Sequence, residues 1–324
     1  MSEATGRTTR SALDHVTPQR FVFIGVTTGG SAIMRVFPAW AEQLALGNVV
    51  MHGCDLPLNG PPSRYREVVA RLKADPLDLG ALITTHKLDL FAACRDLFDE
   101  IDLHSELSGE VSCLAKRDGV LRAHAKDPIS SGRALGEFAA NGHWEATDAH
   151  ALLLGAGGAN LAITLHLMTG RPPLDRPRRI VVVDRSAARL DSMRAVHAKL
   201  DGVVEVDYVH ADAPNELDSL LESQPPGSLV VNGTGMGKDV PGSPISDRAH
   251  FPPRALVWEL NYRGEREFLR QAQRQRESSD LRIEDGWRYF VHSWTCVIEE
   301  VFGVEMTPGL VDELSRLAER SRTE

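Results

Sequence analysis

The chain has 324 residues, 42% of them hydrophobic and 25% charged, with a formal net charge of −9. That length accommodates two ordinary domains, each with its own core, and the composition is that of a globular protein. The acidic balance argues against a general nucleic-acid binder, and no apolar run reaches the ~20 residues that cross a bilayer.

Residues 1–19 have no apolar stretch of the secretory kind and are expected to form a flexible tail. The first ordered element is a strand over 21–26, an apolar run closed by Thr-Thr-Gly-Gly. After Ser31 the apolar Val36, Trp40 and Leu44 recur every four residues, which is helical spacing. A second strand fits 48–51, and the Pro/Gly-rich stretch 57–63 is a loop. A helix over 65–72, a strand over 81–84 and a helical pattern over 88–98 follow. Strand and helix thus alternate through residue 100, which predicts a largely parallel sheet with covering helices. The segments 111–116 and 120–125 flank Asp118-Gly119, a strong hairpin signal, and they deliver the chain to Lys126-Asp127-Pro128, where a helix can begin.

From residue 151 a second α/β series starts. A strand over 151–154 runs into Gly155-Ala156-Gly157-Gly158-Ala159-Asn160, with a helix to Gly170. Strands over 180–184, 204–209, 229–232 and 255–261, and a helix over 187–200, continue the alternation. The irregular segment 233–244 is a loop over a ligand, and the chain ends in helices over 287–302 and 307–320.

A strand entering glycines at a helix start has a mechanism behind it. Bare backbone approaches a pyrophosphate closely, and the free amides and dipole of the helix N-terminus stabilise its charge. Gly155, Gly157, Gly158 and Ala159 are therefore the expected anchor of a dinucleotide, with Asn160 where a third glycine is usual. Asp184 ends the next strand, 29 residues after Gly155, where a carboxylate would accept from the adenosine ribose hydroxyls and favour NAD. Arg185 and Arg189 would instead suit the 2′-phosphate of NADP. The balance tilts slightly to NAD.

With these pieces in order, the chain resembles the shikimate/quinate dehydrogenase family over roughly residues 20–310. Ser31 stands six residues after Gly25, as at the family's substrate-binding entry. Residues 83–87, Ile-Thr-Thr-His-Lys, sit where the family has N-V-T-x-P-x-K. Gly109-Glu110-Val111-Ser112 stands at G-A-V-N, and residues 123–127 at G-x-N-T-D. Gly155 to Ala159 matches G-A-G-G-A, and Asn232-Gly233-Thr234-Gly235-Met236-Gly237 resembles N-A-T-P-x-G. Residues 286–303 match the length of the family's C-terminal helix.

The resemblance implies a two-domain α/β fold: a substrate-binding domain over 20–127, a Rossmann domain over 128–280, and C-terminal helices over 281–324 that return to the first domain. It also implies a catalytic pair, Lys87 and Asp127, with Ser31, Ser112 and Ser293 at the substrate and Thr234, Gly235 and Met236 at the cofactor. Such a pair suits hydride transfer, because Lys87 can exchange the hydroxyl proton while Asp127 orients that hydroxyl. Lys126 joins the substrate residues because it directly precedes Asp127, and Tyr262, ending the last strand, either borders the nicotinamide and substrate or packs in the core.

Several family positions differ. Its second substrate serine is Ile33 and the following proline Met34, its Asn-Val-Thr is Ala81-Leu82-Ile83, and its Asn at 112 is Ser112. The Asn-Thr before the aspartate is Ala125-Lys126, and its Gln on the last helix is Ser293. These changes remove donors and acceptors for a carboxylate and ring hydroxyls, so a small polar cyclic alcohol or ketone other than shikimate is the expected substrate. His86, His124, Lys126, Tyr289, His292 and Trp294 lie at or beside the matched positions, and His86, His124, Lys126 and His292 are candidates to meet an anionic group.

Retention of Lys87 and Asp127 favours an oxidoreductase over two other readings, a dinucleotide-binding sensor and an enzyme using NAD in a non-redox step. Cys54, Cys94, Cys113 and Cys296 show no C-x-x-C spacing and no zinc-type cluster, so reduced thiols, a cytoplasmic location and no metal are expected. The expected partner is a small molecule, and self-association, if any, a homodimer.

Overall fold

A computed structural model describes residues 17–323 except 201, 203 and 239, with side chains through residue 320. Residues 1–16 of the expected tail lie outside the described residues, and the first strand, β1 (Gln19–Gly25), begins at the last position of that expected tail.

Two six-stranded sheets organise the molecule. In the first, β1 lies between β2 (Val49–Asp55) and β3 (Asp78–Ile83), parallel to both. Beyond β3 the order continues with the hairpin β5 (Cys113–Arg117) and β6 (Val120–His124) and a two-residue edge strand, β4 (Glu100–Ile101). β5 runs antiparallel to β3, so the sheet is mixed. The hairpin turns on Asp118 and Gly119, both at positive φ (53° and 76°), the type I′ geometry that an Asp-Gly pair favours. Its helices are α1 (Ala32–Gln43), α2 (Pro62–Ala74), α3 (Lys87–Cys94) and α4 (Leu103–Ser108).

The second sheet is wholly parallel. Its order is β12 (Arg282–Glu284), β11 (Leu256–Glu259), β10 (Leu229–Asn232), β7 (Ala151–Leu154), β8 (Arg179–Asp184), β9 (Glu205–His210). Counted in chain order this is the doubly wound Rossmann arrangement, 3-2-1-4-5-6. Helices α5 (Asp127–Phe138) and α6 (His143–Thr147) precede it. α7 (Gly158–Thr169), α8 (Ala187–His197), α9 (Pro214–Glu222) and α10 (Glu267–Arg274) lie within it. Sequence periodicity overlooked β4 and β12 because two or three residues are too few to show alternation. β12 also carries this sheet four residues past the expected boundary at 280.

Alternation explains why both sheets are covered on each face. In β1, Phe21 and Phe23 enter one core while Val22 and Ile24 enter another. In β7, Ala151 and Leu153 face one layer, and Leu152 and Leu154 the opposite one. The helices α11 (Trp287–Phe302) and α12 (Pro308–Thr323) return to the first sheet. Trp287, Trp294, Val311 and Leu314 complete the core begun by Phe21, Ile33 and Trp40, and the Trp40 indole donates to the Leu314 carbonyl at 2.8 Å. Among the described residues no helix is long and apolar enough to cross a membrane.

Candidate active site

The carboxyl ends of the parallel strands, where α/β sheets bind ligands, open onto one cleft of about 1000 Å³. From the first sheet it receives Gly25, Ile83 and the turn that follows. From the second it receives Gly158, Ala159, Leu260 and Tyr262, and α11 lends Tyr289 and Ser293.

Lys87 reaches the cleft through an unusual turn. β3 ends at Ile83, and Thr85 then takes φ +64°, a left-handed conformation that β-branched residues rarely adopt. The His86 amide donates to the Thr84 carbonyl at 2.6 Å, and α3 starts at once with Lys87. Asp127 arrives by the hairpin and opens α5, with Pro128 behind it in the first turn. The Lys87 ammonium and the Asp127 carboxylate form a salt bridge, with side chains 24% and 13% exposed. Burial pulls the Lys87 pKa down, but the charges of Asp127 and Glu110 outweigh it, so the net shift is upward and the ammonium form is favoured.

Glu110, which the sequence reading passed over, belongs to the same group. It is 6% exposed and lines the cleft one residue after the left-handed Gly109 that caps α4. Burial raises its carboxyl pKa to about 7 against the opposing pull of Lys87, with the Asp127 charge raising it further. The available signal was a carboxylate where the family motif has alanine. Tyr289 completes the wall: burial, then the Asp127 and Glu110 charges, hold its phenol well above its usual range.

Of the other expected substrate residues, Ser31, Ser112, Ser293 and Tyr262 line the cleft. Ser112 Oγ accepts the Lys126 amide at 2.8 Å, Ser293 Oγ donates to the Tyr289 carbonyl at 2.8 Å, and the Tyr262 ring packs on Phe290 at 4.8 Å. Lys126 does not reach the cleft. Its ammonium pairs with Glu300 on α11, because the chain turns into α5 directly after it and swings neighbouring side chains apart. The three candidate histidines are likewise engaged elsewhere. His86 sits between the Tyr65 hydroxyl and the Leu56 carbonyl, both at 3.1 Å, and His292 meets Glu137 at 2.7 Å. His124 lies between Asp102 and Glu300 at 3.6 and 3.4 Å.

The glycine turn provides a cradle of the right kind for a dinucleotide. Gly155 takes φ +98°, and a Cβ there would come within 3.0 Å of the Gly233 carbonyl oxygen. A Cβ on Gly157, the residue preceding α7, would meet nothing within 4 Å, so the approach to the helix N-terminus is open. Asn160, at the third-glycine position, donates to the carbonyls of Leu154 and Gly155 at 2.9 and 2.6 Å and thereby staples the turn. The Asp184 carboxylate accepts from the Ala156 and Ser186 amides at 2.7 and 2.8 Å, so it braces the same turn. Arg185 and Arg189 stand exposed at the start of α8.

Thr234, Gly235 and Met236 are held in place by a buried network. Asn232 Oδ1 accepts from the Thr234 hydroxyl at 2.7 Å, Asn232 Nδ2 donates to Glu259 at 2.8 Å, and Asn261 Nδ2 donates to the Met236 carbonyl at 2.9 Å. Burial raises the Glu259 carboxyl to about 7, although Asn261 and Asn232 hydrogen bonds oppose it. Among the described residues no group of three His, Cys, Asp or Glu could hold a metal ion.

No family model matches the chain. The NADP(+)-named shikimate dehydrogenase of Methylocella silvestris is 32% identical over 263 residues, covering 80% of this chain and 82% of that protein. Its namesake in Symbiobacterium thermophilum is 28% identical over 268 residues, covering 81% and 82%. The quinate dehydrogenase of Corynebacterium glutamicum, solved in complex with NAD, superposes with a TM-score of 0.73 at 20% identity, covering 94% of this chain and 99% of that one. This last likeness establishes the fold.

Proposed function

Since the chain belongs to the shikimate dehydrogenase family of NAD(P)-dependent oxidoreductases, we propose that Lys87 and Asp127 carry its proton transfer on a small cyclic alcohol or ketone other than shikimate. The observation that carries this reading is the Lys87–Asp127 salt bridge inside the cleft, facing the helix N-terminus at Gly158 and Ala159. The first sheet with the C-terminal helices takes the substrate, and the second sheet takes the dinucleotide.

Gly155, Gly157, Gly158 and Ala159 would hold the pyrophosphate on backbone amides, with Thr234 to Met236 flanking the nicotinamide end. When bound, the dinucleotide supplies the hydride acceptor for oxidation or the donor for reduction. Everything else falls to the chain. Lys87, favoured as ammonium, gives its proton to a carbonyl oxygen during reduction and takes it back from the hydroxyl during oxidation. Asp127 keeps the ammonium aimed and accepts the hydrogen bond of the nascent hydroxyl.

Shikimate is disfavoured by how the cleft hydroxyls are used. Ile33 lies wholly in the core, and the Ser293 hydroxyl proton is given to its own helix. A carboxylate would therefore miss the donors that these two family positions supply, although Ser31, Arg35 and Arg263 still line the cleft. A panel of cyclic alcohols and ketones, followed at the absorbance of the reduced nicotinamide, tests the reading. Lys87→Ala should lower the rate on any active compound by on the order of 10²-fold; full activity in that variant would remove Lys87 from the mechanism.

For the cofactor we favour NAD, because a 2′-phosphate would approach the buried Asp184 carboxylate. Replacing Arg185 and Arg189 together by Ala should then leave the ratio of kcat/KM for NAD and NADP unchanged. A loss confined to NADP would identify the two arginines as a phosphate clamp. The four cysteines are all unpaired, which fits the cytoplasmic setting we propose.

A further inference from the structure

Glu110 presents a problem that the salt bridge beside it does not solve. Its side chain is mostly buried, but the carboxylate oxygens keep access to the cleft, and among the described residues no hydrogen bond reaches them; only its backbone amide is engaged, with Ser108 Oγ at 3.4 Å. A mostly buried carboxylate is normally hydrogen-bonded, to protein or to what occupies the space beside it. The side chain is not packed away in a core. It lines the cleft between Lys87 and the second sheet, with Oε2 placed 3.8 Å from where a Cβ on Gly158 would stand. Lys87 from α3, Asp127 from α5 and Tyr289 from α11 surround it, and the bare Gly158 faces it from α7.

We propose that Glu110 is a substrate-recognition carboxylate, accepting a hydrogen bond from a second donor, a hydroxyl or an ammonium, on the ring that Lys87 and Asp127 act upon. This rests on the cleft being the site of the redox reaction. The geometry accounts for the missing partner, since the ligand supplies it. It also gives the cleft a selective element of negative sign. Donors such as Ser31, Arg35 and Arg263 line the same cleft, whereas Glu110 is an acceptor with no donor among the described residues hydrogen-bonded to it. A carboxyl raised toward 7 by its burial is ready to become a full acceptor when a donor arrives.

Three ring compounds isolate the effect: cyclohexanol, trans-cyclohexane-1,2-diol and trans-2-aminocyclohexanol. Binding to the full-length protein saturated with NAD or NADP is measured by calorimetry, and turnover is measured in parallel. The wild type should bind the diol or the amino alcohol about ten- to a hundredfold more tightly than cyclohexanol, the gain from a hydrogen bond to a charged group. Glu110→Ala should bring the preferred ring to within about threefold of cyclohexanol, the same small margin. Glu110→Gln separates the two donors, because its amide oxygen still accepts from a hydroxyl but carries no charge for an ammonium. A preference for the diol kept in Gln, or one for the amino alcohol lost in it, supports the proposal and names the donor.

An unchanged preference in Glu110→Ala, equal binding of all three rings to the wild type, or binding of none overturns it. Donor-dependent binding with no turnover of any ring leaves Glu110 in this role and takes down the redox reading instead. Turnover without donor preference does the reverse.

Discussion

Two buried carboxyls at the ends of strands and loops give this protein an unusual response to pH. Glu259 is fully buried and Glu110 nearly so, and burial lifts both to about 7 from an ordinary value of 4.5. A folded-state pKa above the unfolded one means that the folded protein holds the proton more tightly. The stabilisation is present in full below pH 4.5 and is lost as pH rises through 7. For Glu259 this amounts to on the order of 3 kcal/mol across that window. Glu259→Gln cannot ionise, so its Tm should gain on the wild type steadily between pH 5 and 8. Parallel Tm curves for the two proteins would show that Glu259 is already ionised at pH 5. At this scale the sequence revealed residue types and spacing but not direction. Lys126 looked like a site residue beside Asp127, yet it is spoken for by Glu300, 174 positions away. Glu110 was not singled out, because nothing local says that its side chain turns inward.

The elements were more legible, for a physical reason. Parallel strands buried on both faces must be continuous apolar runs, so 151–154, 180–184 and 229–232 could be read directly. The hairpin was legible because Asp-Gly is among the few dipeptides at ease with two positive φ angles. The β3–α3 turn was not. Its strained residue is Thr85, and no propensity rule anticipates a β-branched side chain at φ +64°. That strain is maintained where the turn aims Lys87, a pattern typical of functional sites. Thr85→Asn, better suited to the left-handed region, should raise stability by about 1 kcal/mol. A Tm that stays level or falls would mean that the Thr85 side chain makes up the difference with contacts of its own.

At the scale of the molecule, the two sheets are built from the chain in different ways. The second uses a nearly continuous segment: the buried residues of both its cores fall within 134–281, and α11 adds only Tyr289, packed on one of them. The first is assembled from both ends. Phe21, Ile33 and Trp40 share one core with Trp287, Trp294, Leu314 and Ala318, and the Arg288 guanidinium bridges Glu137 on α5 and Asp312 on α12. Ending the chain after Glu284 should therefore leave the second unit folded while the first loses protection. Proteolysis should then cut first within residues 20–125; equal resistance of the two halves would show that α11 and α12 merely decorate a finished core. The alternating α/β pattern of the second unit was legible from its periods, but its Rossmann character and this closure from the far end could be inferred only from the family resemblance, since both depend on contacts far apart in the chain.

That closure has a consequence during synthesis. A ribosome releases the first sheet's strands well before α12, so the indole of Trp40 must wait for Leu314, 274 residues further on, to find its acceptor. The half made later is thus able to mature first, and the half made earlier stays open until α11 and α12 leave the exit tunnel and seal it.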